Sequence, residues 1–329
     1  LWQTRPYGQT DPYIISTLRR ALRELPAEDS ELRCRALLVL ATELYHSDAP
    51  AYREALSEQG MAMARRLGDR ALLVWACQAA FIATWRPATA PDRLRLADEA
   101  VAAAVELADP VREALARTIR VIATCELGRV ADMWDEMRRV RSIAGPRRLA
   151  YALVVVSELE APWLAMRGRF DEAERLLEQR RELIAGASFP QREESLVSGL
   201  AGIEVWRGRT AEMAPAFAAL GSHSPIPVDL TIQWLLVRAG RIDEARALSN
   251  GELVIPANDD WLSMHQHCAA AEVAYAYAQP GPARSLYQWL SPFAGWVCSA
   301  GFSVPLGPVD AFLALTAMTT GDRELATRH

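Results

Sequence analysis

The sequence contains no lysine: all 36 of its lysine-plus-arginine positions are arginine. A phosphate-binding loop of the GxxxxGK[ST] type needs a lysine to reach the phosphates, so that chemistry is excluded from these 329 residues. The arginine bias is most simply explained by GC-rich coding; a need for guanidinium groups is the alternative. Cysteine is scarce as well. Cys34, Cys77, Cys125, Cys268 and Cys298 are far apart and odd in number, and no CxxC occurs. Reduced thiols in a cytoplasmic setting are the expectation, not a disulfide framework. The longest apolar run, "LAYALVVVS" at 149–157, is too short for the roughly 20 residues of a membrane span. Residue 1 onward lacks a charged-then-apolar signal segment and an initiator methionine, and the chain closes at "ATRH" just after a turn-like "GD". A piece of a longer protein is expected. With a net charge of −5, a pI near 5.7 and no basic helix, direct nucleic-acid contact is not expected.

Catalytic patterns are equally sparse. No GxSxG is present, and the adjacent acids Glu193–Glu194 and Asp259–Asp260 fit solvated turns or helix starts. "MHQHC" supplies His265, His267 and Cys268, but residues two apart on a helix point about 200° away from each other, so the histidines do not share one metal. No catalytic residue, metal site or enzymatic activity is assigned.

What the chain does have is repetition. "AMRGRFDEAERLL" at 165–177 returns as "LVRAGRIDEARAL" at 236–248, with weaker copies at "CELGRVADMWDEM", "EVWRGRTAEMAPAF" and "TTGDRELATRH". Counting the "QPGPARSLY" turn, Gly128, Gly168, Gly208, Gly240, Gly281 and Gly321 are separated by 40, 40, 32, 41 and 40 residues. A recurring interval of this size marks a repeat array. Within one copy the glycine closes a helix and Asp171 and Glu172 favour the start of the next. Phe170, Ala173, Leu176, Leu177 and Ile184 then form one apolar stripe, with Ala173 and Ala245 as small residues at close helix crossings. Such a hairpin cannot bury its face alone and must stack on neighbours. The expectation is an all-α, tetratricopeptide-like superhelix of antiparallel helix hairpins over 1–329, reset at "GSHSPIPVD" (221–229) and carrying a long loop at 295–308 before the last hairpin.

The "GRFDEA" and "GRIDEA" turns resemble tetratricopeptide repeats. The longer stretch from "DDWLSMHQHC" to the end, with "LYQWLSPFAG" and "LGPVDAFLALTAMTTGD", resembles the closing repeat region of large ATP-binding LuxR-type, MalT-like bacterial regulators, especially those of actinobacteria. "LGDRALLVWACQAAFIATWRP" and "RLRLADEAVAAA" extend the resemblance upstream to about residue 18. It implies a sensing and interaction region that receives an inducer or a protein partner. ATP would bind only a separate NTPase module and DNA a separate helix-turn-helix domain, so no cofactor is expected here. A stand-alone scaffold and the regulatory region of a multidomain adenylate cyclase are the other readings, and homo-oligomerisation stays open.

Ten tryptophans are many for this length. Tryptophan and arginine dominate binding hot spots, although each tryptophan also suits packing between hairpins. Trp163 and Trp234 precede their turn glycines by five and six residues, nearly matching places. Trp206, Trp261 and Trp296 fall at other offsets, and "TWRP" puts Trp85 and Arg86 at a helix end. These seven residues are the candidate ligand-binding set on the inner face of the array.

Overall fold

The structure, a computed structural model, describes residues 6–185 and 192–329. Its fold is all-α: helix hairpins follow one another, and a single two-stranded ribbon is the only sheet among the described residues. No described helix is long and apolar enough to cross a membrane. Packing groups the chain into two compact units. The first runs to Thr124 and takes in Val130–Leu153; the second comprises Cys125–Arg129 and Val154–His329.

The first unit starts with α1 (Pro12–Glu24), capped by the Asp11 carboxylate, and α2 (Glu31–Glu43), capped by Ser30. Next come α3 (Pro50–Leu67), α4 (Arg70–Ala83), α5 (Ala90–Glu106), α6 (Pro110–Glu126, nearly all of it here) and α7 (Val130–Arg147). Between α3 and α4 the chain reverses in two residues. Gly68 takes a left-handed φ of 71°, and Asp69 accepts the Leu72 N–H at 2.9 Å. Helix α2 packs on both α3 and α4, and α4 packs on α5. Close approach sets the residue choice: a Cβ on Gly60 would lie 2.5 Å from Leu38 Cγ, and α4 buries Ala76, Ala79, Ala80 and Ala83.

The second unit contains most of α8 (Ala150–Met166), then α9 (Phe170–Ala185), α10 (Arg192–Arg207), α11 (Thr210–Gly221), α12 (Asp229–Arg238), α13 (Ile242–Leu248), α14 (Ser263–Ala276) and α15 (Pro280–Leu290). It closes with β1 (Val297–Ala300), β2 (Ser303–Pro308), α16 (Val309–Thr319) and α17 (Arg323–Arg328). The twin motifs fold as their sequences require. Gly168 and Gly240 adopt φ of 74° and 75°, and Ala173 and Ala245 are completely buried. The "QPGP" turn differs in detail. Gly281 lies inside α15, and Ala278 takes the left-handed conformation (φ 54°). First helices of successive hairpins also meet: α12 packs on α14, and α14 on α16.

The segment expected as a loop over 295–308 holds the ribbon. Val297 pairs with Pro308, Cys298 with Gly307 and Ala300 with Ser303, with an irregularity between Cys298 and Ala300. Strand β1 packs on α14, and β2 on α10. Every residue of β1 is buried, so the alternation of apolar and polar residues that announces a half-exposed strand is missing. At its tip Gly301 (φ 59°) donates its N–H to the Trp261 carbonyl at 3.0 Å.

Candidate functional site

One group of aromatic and charged side chains in the second unit lies along α10, α12 and α14. Trp234 and Arg238 stand four residues apart on α12 and His265 and Glu272 seven apart on α14, spacings that bring side chains to one helix face. Glu272 gathers three donors from α12: the Trp234 indole Nε1 at 2.8 Å, Arg238 Nε at 2.8 Å and Arg238 Nη2 at 2.6 Å. The Arg238 guanidinium lies over the Trp234 ring at 4.9 Å from its centroid and over the Trp206 ring of α10 at 5.9 Å. His265 presents its ring edge-on to Trp234, with centroids 5.5 Å apart.

This group combines a satisfied ion pair with unsatisfied neighbours. Glu272 and Arg238 side chains are 12% and 23% exposed, so their bidentate pairing is partly shielded from water. Trp206 Nε1 and His265 Nδ1 are buried without a hydrogen-bond partner, as are the side-chain oxygens of Gln233 and Gln266 on the same helices. Burial, followed by the nearby positive charge of Arg238, pushes the His265 pKa down to about 4. Near neutrality His265 is therefore an uncharged imidazole. An unpaired buried donor or acceptor costs about 1–3 kcal/mol, which an occupant or an ordered water would relieve.

The predicted tryptophans divide into distinct groups. Trp234 (1% exposed) and Trp206 are brought together through Arg238. Trp261 and Trp296 flank the ribbon: a Cβ on Gly301 would come within 3.0 Å of the Trp261 ring, and Trp296 packs 5.1 Å from the Phe293 centroid. Trp163 lies half-buried beside the Cys125 thiol. Trp85 belongs to the first unit and is 1% exposed. It packs edge-on to Phe81 at 5.3 Å, beneath the buried guanidinium of Arg93, and its carbonyl accepts from the Tyr45 hydroxyl. Arg86 pairs with Glu54 at 2.9 Å. "TWRP" is thus a packed corner rather than an open surface.

Sequence reasoning missed Arg238, Glu272 and His265 as site members. Arg238 and Glu272 stand on the first helices of successive hairpins but 34 residues apart, against 41 between Gly240 and Gly281, so the repeat spacing does not single them out. The two histidines do diverge. His265 meets Trp234, whereas His267 stacks on Trp289 at 3.6 Å and bonds the Ser263 carbonyl at 2.8 Å. Cys268 and Cys298 are buried side by side, and burial raises the Cys268 thiol well above its usual range, which leaves it protonated and unreactive. In the first unit an apolar groove between α1 and α2, lined by Leu18, Leu25, Leu32 and Val39, offers no comparable convergence of polar groups. No protein-family model matches the chain, and no curated protein is found to be similar to it.

Proposed function

We propose that the chain is the non-catalytic sensing and interaction region of a larger cytoplasmic transcriptional regulator of the MalT-like kind. It receives its effector, a small molecule or a protein partner, on the Trp206–Arg238–Trp234–Glu272–His265 stripe. The observation that carries this reading is the stripe itself: tryptophan faces, a shielded Arg–Glu pair and buried unpaired polar atoms spanning three first helices. Aromatic and guanidinium surfaces flanked by a few convergent polar groups are the usual make-up of a recognition site. The resemblance of the closing segment to MalT-like regulators supplies the context. An occupant bridging Trp206 and His265 favours one spacing of α10, α12 and α14 over others, and only such a difference in affinity transmits a signal.

The test is thermal-shift screening of the purified chain against a panel of cytoplasmic metabolites, read alongside tryptophan emission. A true effector raises the midpoint by about 2–4 °C at saturating concentration. It does so equally in an Arg35→Ala control but not in Trp206→Ala. Hits that stabilise Trp206→Ala as much as the parent chain would move the site elsewhere.

A further inference from the structure

Helix α1 is built as the second helix of a hairpin. The first unit pairs α2 with α3 and α4 with α5, so α1, packed on α2, stands where a preceding hairpin would place its second helix. A first helix in this fold covers two neighbours. Helix α2 packs on α3 and α4, and in the second unit α14 packs on α15 and α16. The corresponding surface of α1 and α2 is an apolar groove lined by Leu18, Ala21, Leu25, Leu32, Ala36 and Val39. Two charged residues border it. Glu24 is exposed at the rim, and Arg35 is held by Glu31 at 2.8 Å and by the Trp75 ring, 4.5 Å from its centroid.

Burial registers the difference between a covered and an uncovered first helix. Helix α4, on which α2 lies, buries ten of its 14 residues, whereas α2 buries six of 13 and leaves Leu32 62% exposed. The chain also approaches α1 from a telling direction. Just past the ends of α2 and α4, the Tyr45 hydroxyl donates to the Trp85 carbonyl, so these first helices run parallel. A helix laid in the groove parallel to α2 would finish near His46. There Tyr7 is buried, with its ring 4.9 Å from the His46 ring. The chain then turns through Gly8, whose φ of 73° matches Gly168 and Gly240, each between the first and second helix of its hairpin.

We propose that the α1–α2 groove is the seat of one more first helix, supplied by a longer polypeptide from its N-terminal side. The occupant is amphipathic and parallel to α2, with leucine and alanine toward the groove and polar residues outward. It continues the stacking interface by which α2 covers α3 and α4. A second copy of this chain is the poorer fit, because α2, α4, α10, α12, α14 and α16 each already pack on their own second helix. The proposal needs a longer polypeptide but not a regulator, so it stands or falls apart from the Trp206–His265 stripe.

The test compares residues 1–329 with a chain extended by about 25 native residues ahead of Leu1, enough for a helix of three to four turns. Leu32→Cys is labelled with a maleimide in both; the five native thiols are buried and do not compete. The extension should slow labelling of Leu32→Cys at least about tenfold, while Val105→Cys, at a 51% exposed position of α5, should react equally in both chains. Leu32→Glu should lower the thermal midpoint of the extended chain by about 2–4 °C and change that of residues 1–329 by less than about 1 °C. Unslowed labelling in the extended chain overturns the proposal, as do equal effects of Leu32→Glu in the two chains or a reading frame that closes just ahead of Leu1. A concentration-dependent dimer of residues 1–329 that protects Leu32→Cys would give the groove to a second copy and overturn it equally.

Discussion

Glu272 accepts three hydrogen bonds from one neighbouring helix, whereas His265, two turns earlier, has a ring nitrogen with none. That contrast sets the pH response of the stripe. The folded-state pKa of His265 is depressed to about 4 from an ordinary value of 6.5. Between those values the unfolded chain binds a proton that the folded chain refuses. The stabilising contribution is therefore complete above about pH 6.5 and is lost as pH falls toward 4, reaching on the order of 3 kcal/mol. Urea titrations at pH 7 and pH 4.5 should show that loss, and His265→Gln should make the difference smaller, while His267, also held low by burial, keeps contributing in the same direction. Carboxylates held low by arginine partners, such as Glu99 beside Arg65, add a loss of the same sign as pH falls through the ordinary carboxylate range, and the comparison with His265→Gln separates the two contributions. An unchanged pH slope in His265→Gln would disprove the assignment. At this scale little was legible in advance. Trp206 and Trp234 stood out by residue type, but Arg238 is one of 36 chemically identical arginines, and only its pairing in the fold distinguishes it.

The hairpins were readable as elements because their punctuation is local. Asp69 after Gly68, and Gly168 and Gly240 before their acidic helix starts, carry their conformational instructions within a few residues. The ribbon of β1 and β2 was not readable, since helices from elsewhere in the second unit bury it. Its turn tests that account. Gly301 combines a left-handed φ of 59° with a ring atom of Trp261 only 3.0 Å from where a Cβ would stand. Gly301→Ala should cost about 1–3 kcal/mol in chemical denaturation, from backbone strain and displacement of the indole together. Gly281, inside a helix and with open space where a Cβ would stand, provides the contrast: Gly281→Ala should be neutral or mildly stabilising. Comparable losses at both positions would show that the ribbon turn is not specially constrained.

Among the described residues, several acid–arginine pairs link elements that are near in sequence. Asp29–Arg66, Glu54–Arg86, Arg65–Glu99, Arg70–Glu106, Glu174–Arg207 and Arg238–Glu272 join residues 32 to 37 positions apart. Each pair lies within one compact unit. Their strengths should differ with exposure. Arg65 and Glu99 are 51% and 29% exposed, so Arg65→Gln should cost less than about 1 kcal/mol and vanish at high salt. Glu272→Gln leaves a shielded arginine without its counter-charge and should cost about 3 kcal/mol, largely independent of salt. Denaturation midpoints of the two variants across a salt series check the ordering.

This spacing also bears on how such a chain can change in length. Asp29–Arg66 closes across α2 and α3, and Arg70–Glu106 across α4 and α5, so each would travel intact with a copied or deleted helix pair. Arg238 on α12 and Glu272 on α14 belong to successive hairpins, so a hairpin inserted between them would part the two charges. Charge placement thus tolerates change at some junctions and resists it at the α12–α14 junction.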